Sequence, residues 1–455
     1  MKDLSTGSIP GHIATMSITM AIGILVQALY FLIDLIFVSK LGDHAIAGVT
    51  SAGNLWFVVL ALTQILNVGT VALVSHAVGA QQRERANLVF NQSLMLSIYS
   101  GLAVIGLVYL AAPVYMHTVG ADEATVRAGI DYLYWFAPGL GLQFAMVAMF
   151  ATLRGTGIVK PTMILQMVTL GVNVILAPVL IVGWGTGKPM GTAGAGLAST
   201  ISVIVGVILS AYYFHKHEKY VSVHKEQMKP QMAVWGRLLH IGLPVGLEFF
   251  LMSIAMAIVY WLIKDFGAEA QAGFGVGQGV MRIIMLPAMA VAFASAPIAG
   301  QNFGARKPER VRETFRWTAI VSIILMTLLT ILCQFESDTF MRVFTNEAAV
   351  VGIGAQMLII SSWNFAANGL IFSCSSMFQA LGNTWPTIWS SGIRLVLFAA
   401  PAFWLASRPE FKIHHLWYAS VASMVLQAGV SYLLVRREFA RKLGVSGPAP
   451  AAPAA

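Results

Sequence analysis

About twelve apolar runs divide this chain of 455 residues, each near the ~20 residues that a helix needs to cross ~30 Å of hydrocarbon. They lie near residues 13–39, 48–76, 88–112, 127–152, 161–183, 192–214, 238–263, 272–299, 316–335, 353–378, 386–406 and 415–435, with short polar breaks between them. The fold class this dictates is an all-α polytopic membrane protein of twelve transmembrane helices. Composition points the same way. With 57% hydrophobic and 10% charged residues, a water-soluble fold would leave more apolar surface than its core could hide. No polar stretch is long enough to form a soluble domain beside the bundle.

The formal charge of +9 does not describe a nucleic-acid face, because the basic residues sit in short breaks between runs. With a cytoplasmic N-terminus, nineteen Lys and Arg fall in inside loops and seven outside, with Arg282 and Arg394 within runs. The positive-inside rule then puts both termini in the cytoplasm, in a cell inner (plasma) membrane. The first run has no small-residue cleavage pattern after it and is expected to stay in the mature protein. Cys333 and Cys374 lie in apolar runs without metal-ligand spacing, so neither a disulfide framework nor a metal site is indicated. No cofactor is expected, and the chain is expected to act as a monomer.

An internal repeat organises the chain. Residues 47–85 align without a gap on residues 272–310 at a constant offset of 225, pairing Ala47-Gly48 with Ala272-Gly273, Gly79-Ala80 with Gly304-Ala305 and Glu84-Arg85 with Glu309-Arg310. A second echo sets Leu153-Arg154-Gly155 before Pro161-Thr162 against Ala380-Leu381-Gly382 before Pro386-Thr387, with a two-residue change of length. The expected organisation is a six-helix lobe over 1–215, a cytoplasmic linker over 216–236, a second six-helix lobe over 237–440 and a disordered tail over 441–455. Six spans is an even number, so both lobes enter from one side and their pseudo-twofold axis runs along the membrane normal.

Polar residues inside the runs mark candidate sites. Gln27, Tyr30 and Asp34 are spaced by three and four residues and share one helix face. A carboxylate at the centre of a span costs ~2.5–3.5 kcal/mol on insertion scales, so Asp34 must face protein or a cavity, or carry a proton. Glu248 and Arg282 both fall near the midplane and are placed to pair, either as a structural ion pair or as a substrate contact. Asn173, Asn364 and Asn368 fall at middle depth, where amides serve as cargo contacts or as interhelical ties, and for the last two the tie is the plainer reading. Arg394, nearer the inner face, is assigned no role. No constellation for intramembrane catalysis is present, since His-Glu-x-x-His is absent and the glycine runs fit neither phosphate-loop nor dinucleotide patterns.

In order along the chain, Gln27, Tyr30 and Asp34 with Phe37-Val38 and Leu41-Gly42 resemble the first helix of the MATE multidrug and toxin extrusion transporters. Also similar are Val68-Gly69-Thr70 through Val78-Gly79-Ala80 with Glu84, Gly300-Gln301-Asn302-Phe303-Gly304-Ala305, Arg154-Gly155-Thr156-Gly157, Asn173 before Pro178, Gly191 to Thr200 and Gly242-Leu243-Pro244. The resemblance implies a secondary active antiporter that exports cationic or amphipathic small molecules by alternating access. It implies that Asp34, Gln27, Tyr30 and Asn173 couple transport to a cation. Glu248, Arg282, Asn364, Asn368 and Thr200 are then expected along the substrate path. Two departures bear on the coupling ion. Ala177 stands where one branch carries a second acid, and on span ten only Asn364 and Asn368 stand where another branch carries one. A Na+ cage wants several hard oxygen ligands, so H+ is expected rather than Na+. The alternative is a flippase for a polyprenyl-pyrophosphate or other lipid-linked substrate, with Arg282 and Arg394 on the pyrophosphate.

Overall fold

A computed structural model describes residues 1–444, apart from the side chains of Ala28, Tyr30, Phe31, Leu32 and Leu35. Thirteen α-helices account for nearly all of it: α1 (Ile9–Val38), α2 (Asp43–Gly79), α3 (Arg83–Val119), α4 (Glu123–Gly155), α5 (Lys160–Ile181), α6 (Thr192–Lys216), α7 (Met232–Ile263), α8 (Ala268–Gly304), α9 (Pro308–Arg342), α10 (Ala348–Ser361), α11 (Asn364–Ala380), α12 (Trp385–Ala406) and α13 (Ile413–Leu443). Eleven are long and apolar enough to cross a membrane, and α10 with α11 forms one further span bent by 57°. Helices α2–α6 form the body of one lobe and α8–α13 that of the other, with α1 packed on both α5 and α8 and α7 on both α2 and α12.

Most helices outrun the apolar segments that mark them. The run at 48–76 belongs to a helix over Asp43–Gly79, and that at 316–335 to one over Pro308–Arg342 that is kinked at Glu336, just past the run. The added turns are polar, yet a helix closes its amide bonds whatever its side chains, so it continues until the chain must turn. The tenth span differs in kind. At Ser362-Trp363 the helix breaks, and the Ser362 carbonyl, which takes the Phe365 amide, also accepts from Thr330 Oγ1 of α9 at 2.8 Å. A neighbouring hydroxyl in this place is what lets a broken helix persist inside lipid. The proposed tail boundary moves as well, because α13 runs through Leu443; residues 445–455 lie outside the described chain.

The offset of 225 extends far beyond the segment that revealed it. Helices α2 and α8 are each 37 residues long and start 225 apart, as do the 22-residue α5 and α12. Gly42 and Gly267, which cap α2 and α8, hold φ of +99° and +89° with ψ of 176° in both, a conformation open to glycine because it lacks Cβ. Gln81 and Arg306 both adopt φ +57°. The two-residue length change between the second echoes is an alignment error: Gly157 (φ +81°) matches Gly382 (φ +66°), and Pro161 matches Pro386, at the same offset. Short turn motifs have few identities, so a slip by two residues is invisible until backbone angles fix the register.

The lobes meet mainly at the end that carries both termini. Leu4, Ile9, Ile13 and Met16 pack on Ala290, Val291, Ala294 and Ile298, while Val68 and Ala72 pack on Ile241 and Val245. The axis is visible in individual contacts. A Cβ at Gly79 would overlap the Gln301 carbonyl, and one at Gly304 would overlap that of His76, the same contact with the lobes exchanged. Gln301 Nε2 donates to the Gly155 carbonyl at 2.9 Å, and His76 Nε2 to that of Ala380 at 2.6 Å, again an exchanged pair. The polar connection between lobes is tied to α3: Asn87, Asn91 and Gln92 accept from the amides of Ser222, His224 and Gln231.

Candidate functional site

Asp34 lies in the last third of α1 and is 5% exposed. Ser199 on α6 donates its hydroxyl to Oδ2 at 2.9 Å. Asn173, fully buried on α5, is the second side chain that acts on the carboxyl. It does so without the alignment of a formed hydrogen bond, and neither its amide atoms nor Asp34 Oδ1 have a bonded partner among the described residues. No Lys or Arg stands within ion-pairing distance of Asp34 among the described residues. One turn beyond Asn173, Ala177 is fully buried in the apolar core of the lobe. Three helices therefore close on one acid, one amide and one hydroxyl. The Tyr30 side chain lies outside the described residues.

Gln27 is not part of that cluster. It lines a cavity of about 120 Å³ between α1, α2, α4 and α5, to which Phe293 of α8 also contributes. The wall is rich in carboxamides, with Gln64, Asn67, Gln143 and Gln166 beside Gln27. Arg154 completes it. Read from sequence as a loop cation, Arg154 belongs to the last turn of α4 and reaches inward to Asn67 Oδ1. The register explains the difference: α4 continues three residues past the apolar run, taking in Arg154, and Gly155 packs directly on Val74 of α2, which draws the turn into the lobe.

The second lobe has a smaller polar centre. Glu248 Oε1 accepts from Ser391 at 3.1 Å, Gln427 Nε2 donates to Ser391 at 3.2 Å, and Arg394 exerts its charge on Glu248. Glu248 and Arg282 do not pair, contrary to the expectation from their common depth. Arg282 instead lies over the Phe57 ring of the first lobe, 5.4 Å from its centroid. Equal depth does not put two side chains on facing sides of their helices, and α7 turns Glu248 toward α12 rather than α8. Asn368 bonds to the Asn364 carbonyl within α11, so among the described bonds it ties no helix to another. Asn364 opens α11 just after the break, with Oδ1 unpartnered. Thr200 is 4% exposed and binds the Trp135 carbonyl of α4 at 2.6 Å, which makes it a joint between α4 and α6 rather than a cavity residue.

Sequence reasoning passed over Ser199 in favour of its neighbour Thr200, and over Gln64, Asn67, Gln143 and Gln166. A signal existed for one pair, since Gln64 and Asn67 lie three apart on one face of α2. Among the described residues, no three His, Cys, Asp or Glu side chains gather into a metal site, and the two cysteines are free and buried.

Comparison with known proteins places this geometry. The family model described as MatE matches residues 19–179 and 244–405, one segment in each lobe. A probable multidrug resistance protein, YoeA of Bacillus subtilis, is 26% identical over 87% of this chain and 85% of its own length. A protein of Shewanella oneidensis described as an FAD transporter is 23% identical over 90% of this chain and 91% of its own. Among solved structures, one described as the outward-facing conformation of a multidrug resistance MATE family transporter of the MOP superfamily superposes with a TM-score of 0.90. It covers 98% of this chain and 99% of its own at 24% identity, which speaks to the fold.

Proposed function

This chain belongs to the MatE family of multidrug efflux transporters, and from that premise we propose that it is an antiporter exchanging H+ for cationic or amphipathic small molecules. The observation that supports the reading is Asp34. It is buried, it meets a hydroxyl and an amide, and it is held neither against lipid nor by an arginine. A lone buried carboxyl of this kind is stable neutral or ionised only as its surroundings allow, which suits a group that gains and loses a proton. Ser199 and Asn173 can serve both states, because a hydroxyl and an amide each donate and accept.

The exchange then follows from charge. A proton from outside neutralises Asp34, and a positively charged compound favours the ionised form, so the two exclude each other. Moving one charge through the membrane potential is worth about 2.3 kcal/mol per 100 mV, which with the pH gradient drives export. Closure at the end bearing the termini, which the positive-inside rule puts in the cytoplasm, fits a state open to the outside. The missing second acid at Ala177 supports H+ over Na+.

The test is Asp34→Asn in everted vesicles. Uptake of a dye driven by an imposed pH gradient should fall to background while the protein remains folded and monodisperse. Retained uptake, or uptake driven equally by a sodium gradient in the wild type, would overturn the assignment. The flippase alternative required Arg282 and Arg394 on one pyrophosphate. Arg282 instead lies over Phe57, and Arg394 is charge-coupled to Glu248.

A further inference from the structure

Arg154 is a cation sunk into the first lobe without a counter-charge, and the way its neighbours are bonded shows what the cavity lacks. Arginine has donors and no acceptor, so Asn67 must turn its Oδ1 toward Arg154. That leaves Asn67 Nδ2 facing the other way, where it donates to Gln64 Oε1 at 2.7 Å. Gln64 Oε1 is thus engaged with Asn67, and the far end of the relay is the Gln64 amide N–H2. Arg154 Nε, buried, has no partner at all among the described residues. The direction of each amide is set by the arginine. The N–H groups left unbonded on Arg154 and Gln64 are donors available to the cavity.

No carboxylate balances this. The cavity wall contains no Asp or Glu, and no acid pairs with Arg154 among the described residues. Asp34 is not part of the wall: the nearest lining residue on α1 is Gln27, seven residues away, about 10 Å at 1.5 Å per residue and beyond ion-pairing distance. Breaking a buried ion pair or leaving a charge unpaired is costly, so a guanidinium held this way favours a bound anion. The feature is also not a by-product of the repeated scaffold. At the offset of 225 that relates the lobes, Arg154, Gln64, Asn67 and Gln27 correspond to Gln379, Met289, Ala292 and Met252. At these four positions the first lobe carries a cation and three carboxamides where the second carries one carboxamide and three apolar residues.

We infer that this cavity binds an oxyanion group, carboxylate or phosphate, carried by the transported compound, with Arg154 as counter-charge and the Gln64 amide as a second donor. The inference deepens the transport reading by defining a substrate class: amphipathic compounds that carry a negative oxyanion as well as an apolar or cationic body. It rests on that reading for the cavity being part of the transport path, but not on the identity of the coupling ion.

The test is equilibrium binding to the purified full chain, with no ion gradient, of rhodamine 110, which has a free carboxylate, and rhodamine 123, its methyl ester. Wild type should bind rhodamine 110 at least about tenfold more tightly, a ratio worth about 1.4 kcal/mol. Arg154→Gln should erase the preference while leaving rhodamine 123 affinity near wild type, and Arg154→Lys should keep part of it. Gln64→Leu, which leaves the guanidinium in place, should weaken the preference and guards against a variant that fails to fold. Equal affinity for the two dyes in wild type, binding of neither, or a preference that survives in Arg154→Gln would each overturn the inference. Failure of proton coupling at Asp34 would appear in the vesicle assay and leave these binding ratios unchanged.

Discussion

Ser199 on α6 donates its hydroxyl to Asp34 Oδ2 on α1 at 2.9 Å, joining positions 165 apart in the chain. Because the acid is buried, loss of that donor strips the ionised form of the one hydrogen bond it forms among the described residues, a cost of about 1–3 kcal/mol. Ser199→Ala should therefore lower the thermal unfolding midpoint and depress proton-driven dye uptake, and Ser199→Thr, which keeps the hydroxyl, should restore both. An alanine variant with wild-type uptake would show that the bond has no part in coupling.

Glu248 is a half-buried acid within a span of the second lobe, and its partners differ in kind from those of Asp34. Ser391 and the nearby Arg394 leave it charge-compensated, which is the ordinary way an acid persists in a span. Glu248→Gln should keep proton-driven uptake within about twofold of wild type, under half a kcal/mol on the scale where tenfold is 1.4. It should also destabilise the fold, because Arg394 then loses its compensating charge. Loss of uptake with an intact fold would move the coupling site to the second lobe.

Gly79 and Gly304 make the same backbone contact with the lobes exchanged, against Gln301 and His76. A side chain at either has to wedge the lobes apart at the end bearing the termini. Overpacking costs about 1–3 kcal/mol, and here it penalises only the state in which this end is closed. Gly79→Leu and Gly304→Leu should each reduce transport strongly and to a similar degree, whereas Gly106→Leu, with nothing within 4 Å, should transport normally. Unequal effects of the exchanged pair would refute the symmetric closure.

Asp122 caps α4 outside the membrane-spanning segment, accepting from the Thr125 amide at 2.8 Å with its second oxygen 3.0 Å from His44 Nδ1. The Thr125 N–H, and after it His44, hold this carboxyl below the ordinary aspartate value of 3.8. A group depressed on folding contributes stability above its unfolded value and loses it as the pH falls through the folded one. Asp122→Ala should melt earlier than wild type at neutral pH, and the two melting curves should converge as the pH is taken below the ordinary aspartate range. A difference that persists in acid would assign the effect to packing instead.

Much of this molecule is written locally. Apolar runs of bilayer length fix the number of spans, the recurrence of Gly79-Ala80 as Gly304-Ala305 exposes two related halves, and a carboxylate at position 34 singles itself out by its cost in lipid. Each of these follows from chain-local chemistry: hydrogen bonding within a helix, the reach of ~1.5 Å per residue, and the price of charge in hydrocarbon. Tertiary structure alone decided which side chains meet. Depth suggested that Glu248 and Arg282 pair, yet helix rotation gave Glu248 to Ser391 and Arg282 to Phe57. A loop arginine became the charged wall of a cavity once the last turn of α4 packed on α2, and Ser199 rather than Thr200 reached Asp34. Rotation about a helix axis leaves the helix's own hydrogen bonds unchanged. It is set by contacts between segments far apart in sequence, and so no single run of residues records it.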